Sequence, residues 1–299
     1  FSSPGPGTQR ESSLLVRSLG IITEVRAGEA PTALLLSLYS FLLLAAYSCI
    51  KPVREALILQ LPGGAEDKIY MAAATAMAML IALPLYAKLA VAVPRNRLIV
   101  WVTAFFAANL LGFYLAAALR GSTTAVALGF YLWIAVFNMM IVAQFWAFAA
   151  DIYSEEAGKR LFPLLGLGAS LGAVAGSGLA KVLIQSLGAI APLLAGAAVL
   201  LFSGVIAQVV HWREVRSFRT GPPQAAAMPL GGSSSDAFRL VLRERYIGLI
   251  ALFSLTFTLV KTNGDYLLAK VVSEAARNAA GSGQLAARAV TSHIGAFYA

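Results

Sequence analysis

Tyr47-Ser-Cys-Ile-Lys-Pro-Val-Arg-Glu-Ala-Leu-Ile-Leu-Gln60 is the stretch on which the reading of the chain depends. Lys51, Arg54 and Glu55 stand between an apolar run over 34–50 and a second apolar patch over 56–61. A charge near the centre of a bilayer costs about 2.5–3.5 kcal/mol on insertion scales. Three charges in one membrane-length segment therefore mark either a functional cavity or a helix that stops near Ile50 and leaves them in water. The apolar patch that continues up to the break at Pro62-Gly-Gly64 favours the cavity.

Composition names the solvent. Of 299 residues 59% are hydrophobic and only 12% charged, and the mean hydropathy is +0.76. Soluble domains carry about 25% charged residues. The chain therefore reads as an all-α polytopic membrane protein in contact with a lipid bilayer, built from spans of about 20 residues. The single Cys49 excludes a disulfide framework within the chain and a cysteine-based metal cluster. His211 and His293 lack ligand spacing, so no metal site and no cofactor are expected. The net charge of +9 fits basic cytoplasmic loops better than a nucleic-acid surface. No catalytic constellation is read, and the chain is taken as a non-enzyme.

Residues 1–8 are disordered in character. Residues 9–27 mix aliphatic residues with Arg10, Glu11, Arg17, Glu24 and Arg26, the pattern of an interfacial amphipathic helix on a cytoplasmic tail of residues 1–30. A six-helix transmembrane unit follows over 31–212, with spans predicted at 31–61, 67–93, 98–119, 125–150, 160–187 and 190–211. A basic linker covers 213–245, its stretch 213–235 being rich in Gly, Pro and Ser. The seventh span starts near Asp236, becomes apolar at Ile247 and runs to about Val272. Residues 273–299 read as a loop and the opening of an eighth helix, so a second membrane unit begins at 246. The start at Phe1 and the unfinished last helix predict a piece of a longer protein. Fourteen of the 23 Lys and Arg residues fall on the N-terminal side of the bilayer and eight on the other, which places the N-terminus in the cytoplasm.

The seventh span repeats the opening motif. Lys261-Thr-Asn263-Gly-Asp265 sets a lysine and an acid four residues apart, as Lys51 and Glu55 are. That spacing puts both groups on one helix face, where they can pair. Two related halves facing one cavity would have this form. Lys51, Arg54 and Lys261 are then candidates for holding an anion, Arg through its planar fork and Lys as a point charge. Glu55, Asn263 and Asp265 complete that set. Asn138 and Gln144 in the fourth span lie on different faces and serve either as substrate contacts or as hydrogen-bond glue between helices. Asp151, Lys159 and Arg160 are candidates for a salt-bridged latch at an inner gate, with a solvated, capped turn as the alternative. Gly168, Gly172 and Gly176 repeat every four residues and permit close approach of another helix.

Three segments carry a family resemblance. Gly28-Glu29 with the aliphatic helix and Lys51-Pro-Val-Arg-Glu-Ala-Leu57, Phe145-Trp-Ala-Phe-Ala-Ala-Asp151 with Lys159-Arg-Leu-Phe-Pro-Leu-Leu-Gly-Leu-Gly-Ala169, and Gly264-Asp-Tyr-Leu-Leu-Ala-Lys270 are similar to the ATP:ADP antiporter family of nucleotide transporters. The resemblance implies a major-facilitator-like helical bundle of twelve spans, of which this chain would be the first half plus one or two helices. It further implies exchange of ATP for ADP, or of a related phosphorylated anion, by alternating access. A basic residue of the first span contributes to nucleotide binding in that family, and Arg54 occupies its place. The family's acid in the fourth span has no counterpart between Trp133 and Trp146, where Asn138 and Gln144 are the polar residues. In this the chain resembles the family's bacterial members, some fused to helical-repeat domains, and a bacterial inner membrane is implied. A proton-coupled transporter titrating Glu55 or Asp265, and a membrane anchor or scaffold for a further domain, are the alternative functions.

Overall fold

The computed structural model describes residues 29–121, 123–217, 243–280 and 284–299. Its elements are helices: α1 (Ala30–Leu59), α2 (Gly64–Ala92), α3 (Arg95–Arg120), α4 (Thr124–Ile152), α5 (Glu155–Leu187), α6 (Pro192–Ser217), α7 (Arg245–Ala280) and α8 (Gln284–Tyr298). The first seven are long and apolar enough to cross a membrane. At 1.5 Å per residue the 30 residues of α1 extend about 45 Å, beyond the roughly 30 Å of a hydrocarbon core. Outward-facing side chains are apolar: Val91 on α2 is 79% exposed and Phe253 on α7 71%. Water penalises such a surface, whereas lipid tails are as apolar as the side chains themselves. The chain is an all-α integral membrane protein. The amphipathic helix predicted over 9–27 and most of the linker predicted over 213–235 lie outside the described residues.

The central helix is α1, which is apolar around its circumference and buried against α4, α5, α6 and α8. Its closest neighbour is α5. Gly168, Gly172 and Gly176 of α5 meet Ser37, Phe41 and Ala45 of α1 in turn. Matching steps of four in the same direction mean that the two helices run parallel, as alternate crossings require of a first and a fifth span. A Cβ at Gly168 would lie 2.5 Å from the Ser37 carbonyl oxygen, and at Gly172 or Gly176 it would overlap the backbone of Phe41 or Ala45. Ser37 and Ser40 fasten the seam by donating their hydroxyls to the carbonyls of Leu164 at 3.1 Å and Leu165 at 2.9 Å. The glycine repeat thus has its partner helix. Gly168-Ala-Ser-Leu-Gly172 also has the spacing of a hydrolase nucleophile elbow, but that motif needs a sharp strand-to-helix turn. Here it lies inside α5, with both glycines committed to the contact with α1.

A second seam joins α3 to α4 through aromatic rings. Phe106 meets Phe137 edge-on at 5.0 Å and Trp133 at 5.5 Å, and Phe113 meets Phe130 at 5.1 Å. Such pairs add about 0.5–1.5 kcal/mol each beyond their buried area.

Several boundaries differ from the predicted ones, each for a local reason. The α1–α2 turn is tight because Gly63 adopts φ 79° and Gly64 leaves no room for a side chain beside the Ile58 carbonyl. This lets α2 begin at Gly64 rather than 67. Ser154 caps α5, its hydroxyl accepting from the Ala157 N–H at 3.4 Å, and Glu155 and Glu156 fill the first turn. The helix therefore starts at Glu155 and not at 160. The loop expected after Val272 is instead the continuation of α7 to Ala280. Val272 and Ala276 are buried in a cluster with Ile58, Leu59 and Met71, and that packing keeps the segment helical.

The expected latch residues form ion pairs with partners the sequence did not suggest. Asp151 pairs with Arg95 at 2.8 Å, Lys159 with Glu155 at 2.8 Å and Arg160 with Glu29 at 3.4 Å. Asp151 lies in the last turn of α4 beside the start of α3, whereas Lys159 and its partner Glu155 share a face of α5. Two of the pairs join elements of the six-helix unit, α3 to α4 through Arg95–Asp151 and α5 to the cap of α1 through Arg160–Glu29, and the third lies within α5. With Arg95 and Asp151 29% and 34% exposed, Asp151→Asn should cost less than about 1 kcal/mol. The unfolding midpoint of the detergent-solubilised variant should fall by under about 4 °C. A loss of twice that would assign the pair a larger role.

Candidate functional site

The charged set lies in the last turns of α1. Pro52 has no N–H to give to the carbonyl of Ser48, yet the helix continues to Leu59 because residues 55–59 are buried. The alternative of a helix ending near Ile50 is thereby removed. Glu55 is 3% exposed. Its Oε1 accepts from Arg54 Nε at 3.0 Å and from Arg54 Nη2, and its Oε2 faces Lys68 Nζ of α2 at 2.8 Å. One carboxylate is shared by two cations, which offsets the cost of taking all three out of water. The Arg54 guanidinium also lies over the Tyr131 ring of α4, 4.7 Å from its centroid. Lys68 Nζ lies 5.6 Å from the ring centroid of Tyr298 on α8. Both contacts are cation–π geometries.

Beside this cluster is a cavity of about 260 Å³ between α1, α2, α4 and α7, with Arg54, Lys68, Tyr131, Lys261, Asp265 and Tyr266 in its wall. Three cations against the carboxylates of Glu55 and Asp265 leave the site net positive. Arg54 from α1 and Lys261 and Asp265 from α7 share this wall. Lys261 and Asp265 form no ion pair with each other among the described residues.

Other expected residues lie elsewhere. Lys51 is exposed and outside the cavity wall, and Glu55 takes Lys68 in its place. Asn263 is exposed, with its amide donating back to the Leu259 carbonyl at 2.8 Å. Asn138 is half-buried on α4 and outside the wall. Gln144 is buried two turns further along α4, among the residues that pack against α1. Two members went unnoticed in the sequence. Lys68 enters the sequence reading only as one of the eight basic residues counted on the outer side, at the start of the span predicted at 67–93, and Tyr131 carries no signal of its own. The signal for Lys68 is hairpin arithmetic: in an antiparallel pair, residues equidistant from the turn come level, and Glu55 lies four residues before the end of α1 at Leu59 while Lys68 lies four after the start of α2 at Gly64.

Comparison with protein-family models, with curated proteins and with solved structures returns no match, so the family resemblance rests on the motifs quoted above.

Proposed function

We propose that this protein is a secondary transporter for a phosphorylated anion of the nucleotide type, working by alternating access in a major-facilitator-like bundle. The observation that carries this reading is the net-positive, partly open cavity bordered by four apolar spans, with Arg54 of α1 and the exposed Lys261 of α7 in its wall. Arginine offers a bidentate fork to phosphate oxygens and lysine a point charge. A site with cations on α1 and on α7 is formed jointly by the two halves that the repeated motif defines, so a rocking of one half against the other would open it to either face. With the N-terminus in the cytoplasm, the cavity lies toward the outer ends of α1, α2 and α4. A bacterial inner membrane is the setting this reading implies.

Uptake of labelled ATP and ADP by cells expressing the full-length protein tests it. Uptake should exceed that of empty-vector cells, and Arg54→Ala should lower it at least about tenfold, the loss of one charge-assisted contact. Uptake equal to vector for both nucleotides would sink the nucleotide assignment.

A second reading draws on Asp265, which lines the cavity without an ion pair among the described residues. A carboxylate so placed could carry a proton along with another solute. Uptake of that solute would then collapse with an uncoupler and ignore nucleotide loaded on the opposite side.

A further inference from the structure

Glu55 is an anion already seated on the cations that a substrate would use. Its carboxylate is sealed at 3% exposure and is absent from the cavity wall, whereas the Arg54 and Lys68 side chains, 17% and 10% exposed, both line the cavity. The acid therefore sits behind the cations and the cations face the space. Lysine has three donor hydrogens and arginine five, more than two carboxylate oxygens can engage. The two cations also come from successive helices, α1 and α2, and each is braced by an aromatic ring, Tyr131 for Arg54 and Tyr298 for Lys68. Each ring gives its cation a contact that does not depend on Glu55.

We infer that Lys68 and Arg54 are the phosphate-gripping pair of this cavity, and that Glu55 is the built-in carboxylate which an entering phosphate group displaces from them. The inference rests on the anion reading above and names its ligand class. Carboxylate and phosphate compete for the same fork and point charge. A terminal phosphate carries close to two negative charges at neutral pH and three acceptor oxygens, so it outcompetes a single carboxylate where a monoanion does not. The site thus takes terminal phosphates of phosphoesters in preference to carboxylic acids. On release, Glu55 closes back onto both cations, so Arg54 and Lys68 keep a counter-charge when the cavity is empty.

Equilibrium binding of labelled ATP to the purified full-length protein tests this with Lys68→Gln, Lys68→Arg and Glu55→Gln. Lys68→Gln should weaken binding at least about tenfold, and Lys68→Arg should restore most of it. Glu55→Gln should bind ATP more tightly than wild type, because the internal competitor is gone. A purely structural Glu55 predicts the reverse, so weaker or unchanged binding in Glu55→Gln overturns the displacement. Binding by Lys68→Gln within about twofold of wild type overturns the role of Lys68 alone. Should Lys68→Gln fail to fold, the Glu55→Gln/Lys68→Gln double variant, which loses one charge of each sign, must show the same loss relative to Glu55→Gln. Wild-type protein that binds no ATP contradicts this inference and the anion reading together.

Discussion

Gly172→Leu is expected to yield no monodisperse, folded protein after extraction from the membrane. In the native packing a Cβ at Gly172 overlaps the carbonyl of Phe41, a backbone group that cannot rotate out of the way. Relief requires α1 and α5 to separate, and separation breaks the neighbouring contacts at Gly168 and Gly176 as well as the Ser37 and Ser40 hydrogen bonds. Overpacking a core by a few carbons costs about 1–3 kcal/mol when side chains can adjust, and here the obstacle is backbone on the most extensive helix contact in the bundle. Size-exclusion chromatography of a fluorescent fusion checks it. The control is Gly178→Ala on the same helix, where the new methyl meets open space. That variant should be neutral, or more stable by up to about 1 kcal/mol from helix propensity.

Glu55→Ala should be the most damaging loss of a single charge. It leaves Arg54 and Lys68 side by side, mostly buried, with their shared counter-charge removed. Removing one partner of a buried pair costs about 3–5 kcal/mol. The unfolding midpoint should drop by roughly 10 °C, and millimolar inorganic phosphate should recover part of that drop in the variant while changing wild type little. A variant as stable as wild type would mean that the two cations reach water and that the carboxylate is dispensable.

Much of this architecture was legible in the sequence, for reasons that vary by element. Spans are visible because lipid permits an unbroken apolar run, and Pro62-Gly-Gly64, Pro94 and Gly188 punctuate the runs they separate. The repeated motif pointed to α1 and α7 as the helices of one site, but of its residues only Lys261 and Asp265 line the cavity, with Arg54 in place of Lys51 and Glu55. Pairing within the site was not legible. The step of four from Lys51 to Glu55 describes a helix in isolation and cannot register a competing cation on α2, and Lys68 reaches Glu55 only after the tight turn at Gly63 and Gly64 folds the hairpin. The extension of α7 to Ala280 was hidden likewise, since Val272 and Ala276 owe their helical state to residues more than two hundred positions earlier. Asp151, Lys159 and Arg160 were identified as charged residues that join helices, but their partners Arg95 and Glu29 come from segments distant in the chain.

The most direct test of anion exchange through this cavity is counterflow in proteoliposomes containing the full-length protein. Vesicles preloaded with unlabelled ADP should accumulate external labelled ATP well above unloaded vesicles, and Arg54→Ala should abolish the difference. Equal accumulation in loaded, unloaded and protein-free vesicles would contradict the account.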